Sequence, residues 1–293
     1  MTEPPAYRIT VSGSNGQLGR ELARISTLHP RLQFTFLSRE EFPLEDFKKI
    51  ESWLHQHEID IFIHGAAYTA VDKAESEKEK AFLINAEASG LIAGLLSKKK
   101  TKLVYISTDY VFDGTSSSPL TELAITKPVN LYGASKLEGE HLVLKNNPAT
   151  QVIRTSWLYS AYGHNFVKTM IRLMKEKESV SVVQDQHGSP TYAGDLAEAL
   201  LQMTESGHFI PGIFHYSNEG ETNWFEFALE IKKQTGSACR VLPVSSAGYP
   251  TTARRPAYSL MDKSKIKREY GVHIPDWRNS LAICIDRLKK QGV

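Results

Sequence analysis

The stretch that most constrains the fold is a predicted strand that runs directly into a glycine-rich turn and a helix. Residues 7–12 (YRITVS) suit a buried parallel strand, and residues 20–26 (RELARIS) are helical in character. Between them, Gly13, Gly16 and Gly19 have the spacing G-x-x-G-x-x-G. Glycines permit a close backbone approach, and a helix N-terminus offers free N–H groups to a pyrophosphate. This order predicts a dinucleotide-binding unit, with a purely structural glycine turn as the alternative.

Further strands and helices alternate through the first half of the chain. Strands are predicted at residues 32–37, 60–64, 102–107 and 151–155, and an apolar-rich helix at 81–96. Strands that alternate with helices favour a parallel sheet covered by helices on both faces. We therefore predict an α/β protein with a Rossmann-type, doubly wound parallel sheet. Its NAD(P)-binding domain spans residues 1–155, and a smaller C-terminal α/β substrate lobe spans 156–293, from which some segments return to the first domain.

Composition and charge argue against several other classes of protein. The chain has 293 residues and a net charge of +2, so there is no global electrostatic attraction to nucleic acid or to an anionic membrane. The longest apolar stretches, such as residues 91–96, are too short to span a bilayer, and the polar N-terminus, Met1 to Pro5, shows no signal peptide. Cys239 and Cys284 form no metal or disulfide pattern and suggest a reducing compartment. We expect a cytoplasmic protein.

Two residues one helical turn apart, Tyr132 and Lys136, suggest a catalytic pair. Residues four apart share a helix face, so Lys136 can lie beneath the ring of Tyr132. The positive charge would then lower the pKa of the phenol from its usual ~10 and make it a better proton donor to a developing alkoxide. Thr108 follows a predicted strand, where its hydroxyl can donate to the same oxygen. This arrangement favours reduction of a carbonyl; an ordinary helix face and a strand cap are the alternatives.

A charged residue two positions after the second predicted strand, Arg39, bears on the choice between NADPH and NADH. In dinucleotide-binding folds an acidic residue near this point binds the ribose of NAD, whereas an arginine accommodates the extra phosphate of NADP. Arg39 therefore favours NADP(H), although Glu40 and Glu41 follow directly and suit NADH. The small residues 65–67, after the third strand, let a cofactor lie flat across the strand ends.

Several longer strings place these motifs in one family. They are AAYTAVDKAE (66–75), STDYVFDG (107–114), YGASKLEGE (132–140), RTSWLYS (154–160), DQHGSPT (185–191) and RRPAYSLMD (254–262), and they extend over nearly the whole chain. On these strings the chain resembles the extended short-chain dehydrogenases/reductases, and within them the family of dTDP-4-dehydrorhamnose reductases.

The resemblance implies a specific reaction and a set of site residues. Hydride would pass from NADPH, or from NADH, to carbon 4 of dTDP-4-dehydro-L-rhamnose. By resemblance Tyr132 would be the proton donor, Lys136 would hold the nicotinamide ribose, and Thr108 would polarise the ketone. The other residues implied to bind the cofactor are Gly13, Gly16, Gln17, Leu18, Gly19, Arg39, Asp46, Ala66, Ala67, Tyr68 and Thr69, and those implied to touch the sugar nucleotide are Asp109 and Trp157.

Two features depart from the family pattern. The family often has His where this chain has Tyr68, which should alter a contact to the cofactor more than the chemistry. Some relatives dimerise through a magnesium ion held by carboxylates. Glu21 fits one such position, but Asp195 stands where a longer Glu is usual. We therefore assign no metal site, and the magnesium ion and a homodimer stay open.

Other functions on the same scaffold also stay open. One is a non-catalytic NADP-binding subunit, such as the regulatory subunit of methionine adenosyltransferase, and another is a nucleotide-sugar epimerase or dehydratase. The presence of Thr108, Tyr132 and Lys136 favours the reductase, which fold-level analogy alone would not. Arg254 and Arg255 offer two guanidinium groups that suit a diphosphate, with solvent exposure as the equal alternative.

Overall fold

The structure is a computed structural model that describes residues 7–292, so Met1 to Pro5, where the sequence shows no signal peptide, lie outside the described residues. In chain order the strands are β1 (Tyr7–Ser12), β2 (Leu32–Leu37), β3 (Ile61–His64), β4 (Lys102–Thr108), β5 (Thr150–Thr155), β6 (Leu158–Tyr159), β7 (Ser179–Val183), β8 (His187–Gly188), β9 (Thr191–Tyr192), β10 (Gly212–His215), β11 (Thr222–Asn223) and β12 (Arg240–Val244).

The helices follow in the same way. They are α1 (Gln17–Ser26), α2 (Phe47–Gln56), α3 (Val71–Ala74), α4 (Lys78–Phe82), α5 (Ser89–Lys98), α6 (Leu131–Asn146), α7 (Phe166–Glu176), α8 (Ala193–Glu205), α9 (Trp224–Thr235), α10 (Ser264–Tyr270) and α11 (Trp277–Lys290). In the range 7–292 no helix has the length and the apolar composition that a bilayer crossing requires.

Six parallel strands form the central sheet, in the order β10-β5-β4-β3-β1-β2. The chain leaves β1 toward β2 on one side and then returns to β3 on the other side, so the order reverses between β1 and β3. In open α/β sheets ligands bind at such a reversal, outside the carboxyl ends of the strands. The predicted doubly wound α/β fold is confirmed.

Two apolar clusters cover the faces of this sheet, and a third lies in the C-terminal half. Segments from beyond residue 156 take part in the first of these cores: Leu196 and Leu200 of α8 pack with Ile9 and Val11 of β1. The third core is built largely from α7, α9 and α11, with Phe227 and Trp277 at its centre. The division into domains at residue 155 stays a prediction, and β10 and α8 are segments of the second half that pack with the first.

The helix predicted at residues 81–96 is longer and less regular than its pattern indicates. It runs through α4 and α5 with a π-helical turn, Leu83–Ala88, between them. Such turns inside α-helices are frequent at functional sites. This one carries the buried Asn85.

Candidate active site

A cavity of about 770 Å³ lies at the carboxyl ends of the central strands. Strands β1, β2, β3 and β5 contribute residues that follow them directly, and β4 contributes its last residues, because parallel strands end at the same edge of the sheet. As defined by residues 7–292, the cavity is lined by all of the predicted cofactor and substrate residues except Asp46 and Asp109. The glycine turn and the pair Tyr132 and Lys136, which lie far apart in sequence, therefore share one cavity.

The glycine turn packs its backbone closely against the segment that follows β3. Gly13 adopts a φ of +80°, and a Cβ atom there would lie 2.8 Å from the backbone nitrogen of Ala66. Helix α1 begins at Gln17, and its N-cap residue, Gly16, has no side chain with which to satisfy the first amides. These amides and the positive end of the helix dipole face a cavity lined by the same residues, which suits a pyrophosphate. The residues present therefore fit a dinucleotide.

The side chain of Gln17 connects this turn to the other side of the cavity. Its Nε2 donates to the carbonyl oxygen of Leu158 at 3.2 Å, and its Oε1 accepts from Nδ2 of Asn165 at 2.9 Å. Leu158 follows Trp157, the residue predicted to touch the sugar nucleotide. One side chain of the cofactor turn thus holds the backbone next to the predicted substrate wall.

At the end of β2, Arg39 is the charged residue that faces the cavity. Its guanidinium bonds Glu45 at 2.5 Å, and its side chain is 71% exposed, so it is free to turn toward a ligand. The carboxylate of Glu41 accepts from the backbone nitrogen of Ser38 at 2.8 Å and is occupied in closing this turn. Asp46, implied as an adenine neighbour, instead caps α2 by accepting from the nitrogen of Lys49 at 3.0 Å.

Helix α6 presents Tyr132 to the cavity from its first turn. Asn130 is the N-cap, and its side chain accepts from the nitrogen of Gly133 at 2.7 Å, while Glu75 accepts from the nitrogen of Leu131 at 2.8 Å. These bonds satisfy two of the free amides at the helix start. Burial raises the pKa of the Tyr132 phenol to about 12, against the opposing effect of the neighbouring Thr108 hydroxyl. The phenol is therefore protonated at neutral pH and available as an acid.

Lys136 does not lie as the sequence predicts. Its ammonium is 3.9 Å from the ring centroid of Tyr105 and donates to the carbonyl oxygen of Ile106 at 2.7 Å. Burial lowers the pKa of Lys136 to about 7, partly opposed by the nearby Glu140. The expectation that Lys136 lowers the pKa of Tyr132 is therefore wrong, because burial raises that pKa.

Asp109 is buried directly behind Thr108, in a 3₁₀ turn (Asp109–Val111) that follows β4. Its Oδ1 accepts from Oγ1 of Thr108 at 3.1 Å, whereas its Oδ2 has no hydrogen-bond partner among residues 7–292. Burial raises the pKa of this carboxyl to about 6, partly offset by hydrogen bonding with Ser259 and Thr108. Asp109 therefore does not face the cavity itself, and its contact with the site is through Thr108, which lines the cavity.

Comparison with known proteins places the chain in a family. A family model described as the RmlD substrate binding domain matches residues 7–290. The chain belongs to this family. A dTDP-4-dehydrorhamnose reductase of Burkholderia thailandensis is 38% identical to it, in a match that covers 97% of this chain and 100% of the relative.

Solved structures of RmlD-family proteins have the same fold. A dTDP-4-dehydrorhamnose reductase of Bacillus anthracis in complex with NADP has a TM-score of 0.91 at 38% identity, covering 96% of this chain and 99% of that one. One from Clostridium acetobutylicum has a TM-score of 0.92 at 35% identity, with the same coverage of 96% and 99%. The resemblance stated from the sequence motifs is therefore confirmed.

The two carboxylates weighed as metal ligands both have other partners in this member of the RmlD family. Both oxygens of Glu21 accept from Nη1 of Arg287 at 2.7 Å, and Asp195 accepts from Asn218 at 2.6 Å and from Ser280 at 2.5 Å. A guanidinium thus neutralises Glu21. No group of three or more His, Cys, Asp or Glu side chains within residues 7–292 is arranged to hold a metal ion.

The sequence analysis did not identify a buried asparagine that hydrogen-bonds one of the cavity-lining residues to helix α6. Asn85, in the π turn, donates to the carbonyl oxygen of Tyr68 at 3.0 Å and accepts from the nitrogen of Tyr68 at 2.8 Å. It also donates to the hydroxyl of Ser135 on α6 at 2.9 Å. The signal in the sequence is an amide in the middle of an apolar helix, where a buried polar group needs partners.

A second missed group is the buried ion pair of Glu140 and Arg154, behind β4. Nη2 of Arg154 lies 2.7 Å from Glu140, whose side chain is 1% exposed, and the same carboxylate accepts from Ser107 at 2.5 Å. Glu140 is one helical turn after Lys136, so its charge opposes the loss of the proton from that lysine.

The two arginines considered for a diphosphate differ in their surroundings. Arg255 forms an ion pair with Asp72 at 2.8 Å and is occupied there. Arg254 is exposed, and its carbonyl oxygen accepts from Nδ2 of Asn130 at 2.7 Å, which brings its backbone to the start of α6. Of the pair, Arg254 is the one whose guanidinium is bonded to no other side chain within the described range.

Proposed function

We propose that this chain reduces the C4 ketone of dTDP-4-dehydro-L-rhamnose to dTDP-L-rhamnose, the last step of dTDP-rhamnose biosynthesis, with NADPH as its preferred reductant. The observation that carries the proposal is a half-buried, protonated Tyr132 beside Thr108, in the same cavity as a glycine turn that fits a dinucleotide. The names of the relatives and their coverage of nearly the whole chain support it.

The proposed role of the chain is to orient the ketone and to supply one proton. NADPH, when bound, supplies the hydride that adds to carbon 4. The Oη atom of Tyr132 gives its proton to the ketone oxygen, so that the C=O double bond becomes a C–OH group, and the phenolate regains a proton from solvent. With the ketone bound, the Thr108 hydroxyl turns from Oδ1 of Asp109 and donates to the same oxygen, where it stabilises the negative charge that develops.

The two charged neighbours have distinct proposed roles. Lys136 holds a ribose hydroxyl of the cofactor. With a pKa lowered by burial to about 7, it gains and loses a proton near neutral pH. Asp109 lies behind Thr108 and orients its hydroxyl before the ketone binds. Arg39 binds the extra phosphate that distinguishes NADPH from NADH. The complex of the Bacillus anthracis relative with NADP supports NADPH as the cofactor.

The assay is the oxidation of NADPH with dTDP-4-dehydro-L-rhamnose, compared with a free 4-keto hexose. Binding energy from the remote nucleotide positions the ketone, so the truncated substrate should lose turnover as well as affinity. Tyr132→Phe should lower turnover by roughly two to four powers of ten and leave NADPH affinity nearly intact. The exposed Tyr249 provides the matched control, because Tyr249→Phe removes the same hydroxyl away from the cavity.

Each alternative gives a different result in this assay. A protein that binds NADPH but reduces no nucleotide-linked keto sugar would contradict the proposal and indicate a binding subunit. Conversion of the sugar without net consumption of NADPH would indicate an epimerase or a dehydratase. Cys239 and Cys284 are buried free thiols, which supports placing the reaction in the reducing cytoplasm. A homodimer is a further proposal, to be tested by light scattering.

A further inference from the structure

Trp157 has an unusual backbone conformation for a bulky residue. Its φ is +47°, and within residues 7–292 the only other non-glycine residue with a positive φ is Lys100. A tryptophan in this left-handed region is strained, and such residues persist only where the surrounding structure holds them. Strained residues of this kind cluster at ligand sites. Trp157 lines the same cavity as Thr108 and Tyr132.

The group that holds Trp157 is a second tryptophan. The indole rings of Trp157 and Trp224 are stacked, with 3.8 Å between centroids and 13° between planes. Trp224 is in turn packed against Phe166, with centroids 4.6 Å apart. It is the first residue of α9 and follows Asn223, which pairs with His187 in the short sheet of β8 and β11. The position of Trp224 is therefore set by three elements of the C-terminal half.

A glycine makes room for the same indole. Gly188 of β8 faces Trp157, and a Cβ atom at Gly188 would lie 3.0 Å from Cζ2 of that ring. This is closer than side chains normally approach, so any larger residue would have to displace the indole. One face of Trp157 is thus fixed by Trp224, and Gly188 leaves space for the indole at Cζ2.

We propose that Trp224 is a positioning residue that fixes the indole of Trp157 as the wall against which the sugar nucleotide lies. The inference rests on the proposed function. It deepens that function by assigning part of the affinity for the sugar nucleotide to a residue that contributes neither a proton nor a charge. Loss of the stack releases Trp157 from its strained conformation, so the wall loses its orientation while the reacting groups on β4 and α6 keep theirs.

The test compares Trp224→Ala with Trp224→Phe. Trp224→Ala should raise the KM for the sugar nucleotide by roughly threefold to tenfold, the factor that corresponds to the energy of one aromatic pair. The kcat at saturation and the KM for NADPH should stay nearly unchanged, and Trp224→Phe should retain most of the affinity. Combining Trp224→Ala with Trp157→Ala should cost no more than Trp157→Ala alone, because the first change acts through the second residue.

The control is a tryptophan with an equally close stack elsewhere. Trp53 on α2 stacks on His57 at 3.9 Å and 7° and does not itself line the cavity, although it packs against Phe42, which lines the cavity and is far from Trp157 in sequence. Trp53→Ala should leave the KM for the sugar nucleotide unchanged. An equal rise in both variants would overturn the proposal, because it would show a general loss of structure. An unchanged KM in Trp224→Ala would also overturn it.

A spectroscopic measurement separates this inference from the proposed function. Two stacked indoles couple their electronic transitions, which gives a circular dichroism couplet that needs no turnover. The couplet should vanish in Trp224→Ala and in Trp157→Ala and persist in Trp53→Ala. If the couplet is lost in Trp224→Ala but the wild-type protein reduces no sugar nucleotide, the stack between the two indoles is supported and the proposed function is contradicted. If Trp224→Ala does not fold, Gly188→Ala tests the same orientation, and a normal KM in that variant would contradict the proposal.

Discussion

Replacing Asp109 with Asn should make the protein more stable at alkaline pH and a poorer enzyme. Asp109 is 1% exposed, and one of its oxygens has no hydrogen-bond partner among the described residues. Its pKa is raised from 3.8 to about 6, chiefly by burial, a rise of about two units. Each unit corresponds to about 1.4 kcal/mol, so the ionised carboxylate costs about 3 kcal/mol of folding free energy.

The sign of this effect determines its pH range. Because the native pKa lies above the unfolded value, the native state binds the proton more tightly than the unfolded chain does. The protonated group therefore carries no penalty below about pH 4. The penalty develops between pH 4 and 6, and it is complete above pH 6. Asp109→Asn, which stays neutral, should match wild type near pH 4 and exceed it by about 3 kcal/mol at pH 8.

Urea unfolding of both proteins at pH 4, 6 and 8 measures the difference. Asp113→Asn is the matched control, because Asp113 accepts from the nitrogen of Thr115 at 3.0 Å and has a lowered pKa. It should instead lose stability above its native pKa. A stability difference for Asp109→Asn that did not vary with pH, or that favoured wild type at pH 8, would refute the reasoning. Turnover by Asp109→Asn should fall, because the amide replaces one acceptor oxygen with a donor.

Three further predictions concern the cofactor, the metal and the stability of the folded chain. Arg39→Ala should lower the ratio of the kcat/KM values for NADPH and NADH, because the planar guanidinium suits a phosphate; an unchanged ratio would show that Arg39 points elsewhere. Activity should survive chelation, since Arg287 already neutralises Glu21; loss with EDTA and recovery with magnesium would contradict this. Arg287→Ala should leave Glu21 buried with fewer partners and lower the free energy of unfolding by about 3 kcal/mol, whereas Arg172→Ala, at an exposed ion pair, should change it by less than about 1 kcal/mol.

The features that the sequence predicted correctly are those set by short-range patterns. The strand at Tyr7–Ser12 and the following turn are encoded by adjacent residues, because burial on both faces and the glycine spacing are visible in sequence. The prediction that Lys136 lies beneath the ring of Tyr132 was wrong, although both residues lie on the predicted helix and line one cavity. Residues four apart lie on one face of a helix, but this spacing does not determine what the end of a long side chain contacts. The ammonium of Lys136 lies over the ring of Tyr105, which belongs to β4 beneath the helix. Periodicity along a helix contains no information about that strand.

Long-range contacts explain the other omissions. Asn85 bonds Tyr68 and Ser135, which are 17 and 50 residues away in sequence. The return of β10 to the edge of the central sheet likewise depends on pairing with β5, since its own four residues would suit many positions. Asp46 is different, because its role as the N-cap of α2 is a local feature. An acidic residue just before an amphipathic helix is a signal for such a cap and could have been read from the sequence.

The link made by Gln17 implies thermodynamic coupling between the two ligands. Its backbone lies at the start of α1, where a pyrophosphate fits, and its side chain holds the carbonyl oxygen of Leu158, next to Trp157. A cofactor that immobilises this turn also immobilises the substrate wall, so the entropy of ordering that wall is lost before the sugar arrives. The coupling is reciprocal, and each ligand therefore raises the affinity of the other by the same factor. Titration of either ligand, with and without a saturating amount of the other, should therefore show the same fold-change in Kd.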